Sequence, residues 1–362
     1  MEWLQNRQYY NNELARVIFI NVLTCPNRTY FGYREGVHVK NKILQWSLVV
    51  LVITSIAFSL HNPFTSTYIE SLKAQSTAVS QMESNSIYQQ IKEKAKELNR
   101  PPKNAEIDPV WKATPGYNGI VVDMEASFKA MKKANKYDHN KLVIKQINPS
   151  VHLEDLPASP IYRGNPEKPM VTLLVNVAWG NEYLPGMLQT MKKNNVKSTY
   201  FLDGSWVKKN PSLAKMIAEE KHEIGNHAYS HPDLKKMTNS RITEELKQTN
   251  EVIHATLDIQ PKWFAPPSGS FRNDVVQIAS EMDMKTILWT VDTIDWRKPN
   301  PDEMVGRVLS KVHPGAMILM HPTESSSAGL DKLIKGIKEK GYSIGTVSDL
   351  MDETRLVPKT IK

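Results

Sequence analysis

From Met170 onward the chain alternates short apolar runs with helical stretches, and this alternation is what most limits the folds open to it. MVTLLVN (170–176), STYFL (198–202), HEIG (222–225), KWFA (262–265), TILWTV (286–291), AMILM (316–320) and YSIGT (342–346) read as strands. Between them, Asn210-Pro211 supplies an N-cap followed by proline at the first helical position, and ITEELKQTNEVIHATL repeats its apolar residues at helical spacing. Strands separated by helices pair in parallel, in a barrel or a doubly wound sheet. Working residues in such folds sit at the carboxyl ends of the strands. Asn176, Asp203, His227, Ala265, Asp292 and His321 fall there.

The region before Met170 has a different character. Ile43–Leu60 is uncharged, close to the ~20 residues with which a helix spans a bilayer, and Lys40 and Lys42 precede it. It is expected to be a transmembrane anchor that places the rest of the chain outside the cell as a single-pass membrane protein. A secretory signal peptide cleaved near Ala57-Phe58-Ser59 is the alternative. Residues 1–42 form an N-terminal extension without domain signature, and translation is expected to begin near Val37 or Val39. Residues 61–105 read as a polar spacer holding one helix that stops before Pro101 and Pro102. Residues 106–165 read as a small α+β module (turn, strand, helix, strand) that runs into a linker over 158–169 with Pro160, Pro166 and Pro169.

Composition excludes little. The net charge is +8, but the lysines are spread along the whole chain, which argues against a nucleic-acid face. Cys25 is the only cysteine, so no intramolecular disulfide forms.

The strongest chemical signal is GNHAYSHP: His227 and His231, four residues apart after a strand end, can share one face toward a metal. VDTIDW and LMHP follow at later strand ends. Taken together, these segments resemble the NodB-homology polysaccharide deacetylases, carbohydrate esterase family 4, over about 180 residues. The similarity extends into 106–165 for a YlxY-type, sporulation-associated subgroup. The resemblance implies an α/β fold: a distorted (β/α)7 barrel over 166–356, preceded here by the small module and the N-terminal membrane helix. It also implies N-deacetylation of peptidoglycan or chitooligosaccharide, so that cell-wall glycan is the expected partner. A divalent metal of the zinc type is the expected cofactor, held by His227 and His231. Asp295 is then expected to orient His321 as general acid, Trp296 and Leu319 to wall the substrate pocket, and the Pro267-Ser268 segment to stabilise an oxyanion.

The sequence departs from the family pattern in two motifs. Where T-F-D-D-G is usual, L-V-N-V-A-W-G-N-E stands. One alignment puts Asn176 at the base position and Val177 at the ligand position, and another puts Ala178 and Trp179 there. Neither leaves a carboxylate. Where the family has R-P-P-Y, Ala265-Pro266-Pro267-Ser268 stands, so the arginine that holds the base is absent too. Loss of both partners avoids a buried unpaired charge. Glu182 and Asp203 are the nearest substitute carboxylates, each expected to be a surface or capping residue, and Trp179 is expected to fill the vacated core, with a sugar-stacking role as the alternative. The expected function is that of a deacetylase-like hydrolase with an altered, impaired site. The alternative is a pseudoenzyme that binds glycan without cleaving it.

Overall fold

The computed structural model describes residues 35–83 and 86–356. The 1–34 stretch, with Cys25, lies outside the described residues, as do the Lys40 and Lys42 side chains. Contacts divide the chain into two compact units, Met1–Gln81 and Met82–Lys362. In the first, helix Glu35–His61 contains the apolar run, and helix Pro63–Glu83 follows. Among the described residues no single helix is long and apolar enough to cross a membrane, so the span expected over 43–60 lacks support as one straight helix. Leu44–Phe58 and Pro63–Ala74, bent by 54° at the break between them, pass the test of length and composition only as a pair.

The second unit opens with helix Ser86–Leu98, which is part of a folded core as well as of the polar region around it. Its Ile87, Ile91 and Ala95, at helical spacing, pack on Val122, Phe128, Met131 and Leu142. Two antiparallel pairs complete this module: β1 (Glu106–Asp108) with β2 (Lys112–Thr114), and β3 (Gly119–Val122) with β4 (Ile144–Ile147). The helix Met124–Lys132 begins at Asp123, whose carboxylate accepts from Ala126 N. The module is fastened to the larger domain by polar contacts. Gln146 and Arg355 exchange two hydrogen bonds of 2.9 Å, and Asn165 Nδ2 donates to the Pro115 carbonyl at 3.0 Å.

The larger domain is a curled parallel sheet flanked by helices. Its strands are β5 (Met170–Val177), β6 (Thr199–Leu202), β7 (Glu223–Asn226), β8 (Trp263–Phe264), β9 (Lys285–Thr286), β10 (Val291–Asp292), β11 (Met317–Met320) and β12 (Ser343–Gly345). The order across the sheet is β10-β11-β5-β6-β7-β8-β9, with β12 also paired to the start of β5. The run 286–291, read as one strand, is in fact two short ones. Its first part pairs with β8 and its last part with β11, so one kinked segment belongs to both edges of the sheet. Ile161, from the stretch taken as linker, bridges to Ile287 at the kink: its N–H donates to the Thr286 carbonyl and its own carbonyl accepts from Leu288 N. This is the (β/α)7 arrangement in distorted form.

The pleat decides what faces inward, because successive side chains point to opposite sides. On β5, Val171, Leu173, Val175 and Val177 pack outward under the helices, and Leu174 packs in the interior cluster with Phe201 and Met317. Asn176, two residues after Leu174, therefore points inward near the strand's end.

At the opposite end of the sheet the ammonium of Lys168 is buried and donates to the carbonyls of Asp349 and Asp352, closing the C-terminal helix Val347–Met351. Lys168→Met removes both donors and leaves two carbonyls short of a partner. Urea unfolding is expected to show a loss of about 2–4 kcal/mol; an unchanged midpoint would show that these contacts carry no stability.

Candidate active site

Strand register brings the carboxyl-end residues to one level. Leu174 and Val175 pair with Leu319 and Met320, so one further step sets Asn176 beside His321. Asn176 pairs with Phe201 on its other side, Asp203 N–H donates to the Val177 carbonyl at 2.9 Å, and His227 N–H to the Leu202 carbonyl at 3.1 Å.

His321 is held most tightly. Asp295 is fully buried in the short 3-10 turn Asp295–Arg297 after β10. Its carboxylate accepts from the His321 backbone N–H at 2.6 Å, pairs with His321 Nδ1 at 2.8 Å and accepts from Ser326 Oγ at 2.5 Å. An ionised carboxylate only accepts, so the Nδ1 carries the proton and Nε2 is left for chemistry in the site. Ser326 belongs to helix Glu324–Glu339 and is a supporting residue the motifs did not reveal.

His227 and His231 also come together, with ring centroids 5.1 Å apart at an interplanar angle of 70°. His227 Nδ1 donates to the Ala265 carbonyl at 2.7 Å, which leaves Nε2 as a lone pair. Burial pushes its pKa down to about 3, with repulsion from His231 and, less, His321 adding to the effect. The loop between the histidines is clamped by Glu245. From helix Asn239–Leu257, this buried carboxylate accepts from Tyr229 N at 2.9 Å, Ser230 N at 2.8 Å and Ser230 Oγ at 2.8 Å. Sequence reasoning missed Glu245, although a glutamate on the apolar period of a helix was the available signal. Ala228, His231, Ser268 and Ile294 all adopt left-handed backbone around the site, where such conformations cost stability and are held by their surroundings.

The remaining expected residues are more scattered in character. Leu319 and Pro267 are buried, Ser268 is exposed, and Trp296 is 52% exposed at the rim with the Arg297 guanidinium 4.6 Å from its ring centre. Asp203 caps helix Gly204–Lys209 by accepting from Trp206 N at 2.8 Å. Its buried Oδ2 has no partner among the described residues, and burial raises its pKa. Glu182 is exposed. Trp179 does not fill the core. It is 46% exposed and stacks on the His321 ring at 5.7 Å and 10°. Its stacking partner at the end of β11 holds it at the mouth of the barrel, where it covers the imidazole.

Asn176 is buried, and its Oδ1 has no hydrogen-bond partner among the described residues. A divalent metal needs a further protein ligand beside His227 and His231 to match three-ligand catalytic sites. Among the described residues no three His, Cys, Asp or Glu side chains come together to hold one, so the donor set falls short of that requirement.

A curled (β/α)7 sheet with a carboxylate-held histidine and a histidine pair at its strand ends defines a carbohydrate-esterase-like site from which the basic carboxylate has been removed. The chain belongs to the polysaccharide deacetylase family, carbohydrate esterase family 4, whose pattern residues 163–287 match. It is 53% identical over 310 residues to the YlxY protein of Bacillus subtilis, covering 85% of this chain and 97% of that one. It is 31% identical to the peptidoglycan-N-acetylmuramic acid deacetylase PdaA of the same organism, over 59% of this chain and 81% of that one. Among solved structures, a family pseudoenzyme from Bacillus anthracis superimposes with a TM-score of 0.71 at 53% identity, over 74% of this chain and 96% of that chain. A mutant of that pseudoenzyme with restored enzymatic activity superimposes with a TM-score of 0.71 at 52% identity, over 74% of this chain and 99% of that one. The active site of the present chain is an altered one within this family.

The depressed pKa of His227 has a sign that can be checked. An unfolded histidine takes up a proton near pH 6.5 and the folded one resists to about 3, so the unfolded state gains protons as pH falls between these values. The stability of the neutral form is thus complete above pH 6.5 and is lost progressively toward pH 3. The ¹⁵N shifts of His227 are expected to show no titration from pH 7 to 5, and a midpoint near 6.5 would show that the ring is not held neutral.

Proposed function

We propose that this protein binds N-acetylated cell-wall glycan, peptidoglycan or a chitooligosaccharide, in the manner of a deacetylase, and hydrolyses it poorly or not at all. The observation that carries the reading is Asn176: at the inward strand end where the family places a base, the side chain is a buried amide with an unpartnered oxygen. Hydrolysis adds water to the acetyl carbonyl, breaks the C–N bond, and leaves acetate and a sugar amine. His321, its tautomer set by Asp295, is suited to protonating the departing amine. At the position where the family places its base, Asn176 offers only an amide, which has no useful basicity with which to take the proton from the attacking water.

The relatives support the glycan class. PdaA is a peptidoglycan-N-acetylmuramic acid deacetylase, and the Bacillus anthracis neighbour is a pseudoenzyme of the same family whose mutant regained activity. The two histidines are the proposed holders of a divalent, zinc-type metal, bound more weakly than by three ligands. The uncharged run before Leu60 supports a place outside the cytoplasmic membrane, anchored or secreted. Protease added to intact protoplasts is expected to digest the larger domain, and full protection would refute that location.

The chemical test is a pair of substitutions. Wild-type protein is expected to release little acetate from a chitooligosaccharide, since general-base help is worth about 10²–10⁴ in rate. Asn176→Asp alone is expected to gain little, because Ala265 offers no guanidinium to hold the new carboxylate. Asn176→Asp with Ala265→Arg is expected to exceed the combined gains of the single changes, as coupled neighbours do. Vigorous acetate release by the unmodified protein would overturn the impaired-site reading.

A further inference from the structure

Trp179 is unexplained by the chemistry described above. It follows the strand that lost its carboxylates, and it lies flat on the imidazole of His321, with ring centroids 5.7 Å apart and planes within 10°. It is nevertheless 46% exposed, so much of a large apolar ring system faces solvent beside the acid of the site. An exposed tryptophan in isolation would carry little meaning. This one is held in place from two sides. His321 supports one ring face, and Gly180, at φ +84, brings the backbone so close to Pro322 that a Cβ would lie 1.9 Å from its carbonyl oxygen. Only glycine permits that approach, and it anchors the residue next to Trp179 against the residue next to His321.

The indole also lines a groove of about 310 Å³ with Asn181, Glu182, Ser205, Trp206 and Lys209. Its floor is ordered: Trp206 Nε1 donates to Asn181 Oδ1 at 2.6 Å, and Asn181 Nδ2 to Asn210 Oδ1 at 2.8 Å. The side chains of Glu182 and Lys209 are exposed and enter no hydrogen bond or ion pair among the described residues. An aromatic plate beside a shallow channel with one free acceptor and one free donor matches a pyranose ring, which has apolar C–H faces and hydroxyls around its edge. Aromatic surfaces with a few placed polar groups are the usual make-up of small-ligand sites, and a plate already rigid loses little freedom on binding.

We propose that Trp179 is a glycan-binding residue, its indole the platform on which a pyranose ring of an N-acetylated glycan stacks, with Glu182 and Lys209 receiving the hydroxyls of the sugar in the adjoining groove. The proposal rests on the glycan-binding reading above and adds to it the residue and the channel that carry the contact. It also gives the departure at this strand end a use: the side chain that replaced an acidic motif supplies binding surface.

The test is calorimetric titration of the full chain with the tetramer of N-acetylglucosamine. Trp179→Phe keeps an aromatic face and is expected to bind within about threefold of wild type, whereas Trp179→Ala is expected to bind about tenfold more weakly or worse. Trp179→Leu keeps an apolar cover over His321 without a flat ring. It is expected to unfold at the same temperature as Trp179→Phe yet bind as weakly as Trp179→Ala, which separates stacking from a structural role. Should the alanine variant fail to fold, the leucine and phenylalanine variants decide alone. Equal binding by Trp179→Leu and wild type would overturn the platform and leave the glycan-binding function standing. No binding of the tetramer or of purified peptidoglycan strands by wild type would overturn that function, and the platform with it.

Discussion

The buried carboxylate of Asp295 is the interaction on which the site depends. It lies without solvent in the turn after β10, where His321 at the end of β11 supplies two of its contacts and Ser326 of the helix that follows supplies the third. A buried charge is tolerated only when its lone pairs are met, and here a backbone N–H, an imidazole and a hydroxyl meet them. Because one oxygen takes the His321 backbone and the other its ring, both the position and the tautomer of the histidine are set together. That half of the barrel mouth is built around a histidine whose ring is held by the same carboxylate as its backbone.

The other half of the site is arranged by different means. His227 is kept neutral by burial and aimed by the Ala265 carbonyl, and the loop to His231 is tied down by Glu245. These supports are intact although the acidic motif is gone. The altered strand end is therefore a local change on a preserved frame: Asn176 sits where the pleat of β5 demands an inward residue, and Trp179 emerges beyond the strand to lie on His321. On the function proposed above, such a frame would hold a glycan without completing the proton transfers that cleave it.

Much of the fold was legible because it follows from local periodicity. Apolar runs separated by amphipathic helices leave few arrangements other than a parallel sheet, and the segments carrying His227, Asp295 and His321 could be placed at strand ends by counting. The kink in 285–292 could not be read, since each half of TILWTV is equally apolar and only the neighbours β8 and β11 divide it. The helix Ser86–Leu98 looked like spacer because its polar face dominates its composition, and its packing on Phe128 and Met131 is a property of the partner.

The sequence by itself determined the parallel α/β architecture, the pairing of chemistry-bearing segments with strand ends, and the absence of a carboxylate at the base position, because all three depend on residue identity and order. Only the tertiary structure decided which side chains support them. Glu245 acts on groups fifteen and sixteen positions away and Ser326 on one thirty-one positions away, and while the apolar period of its helix marks Glu245 as buried, no local pattern says what either side chain holds. Trp179 shows the same divide. Its identity suggests burial, since large apolar rings favour the core, but the indole lies on His321 from another strand, while Gly180 lets the backbone approach Pro322 beside it, and neither partner can be read from the residues around Trp179.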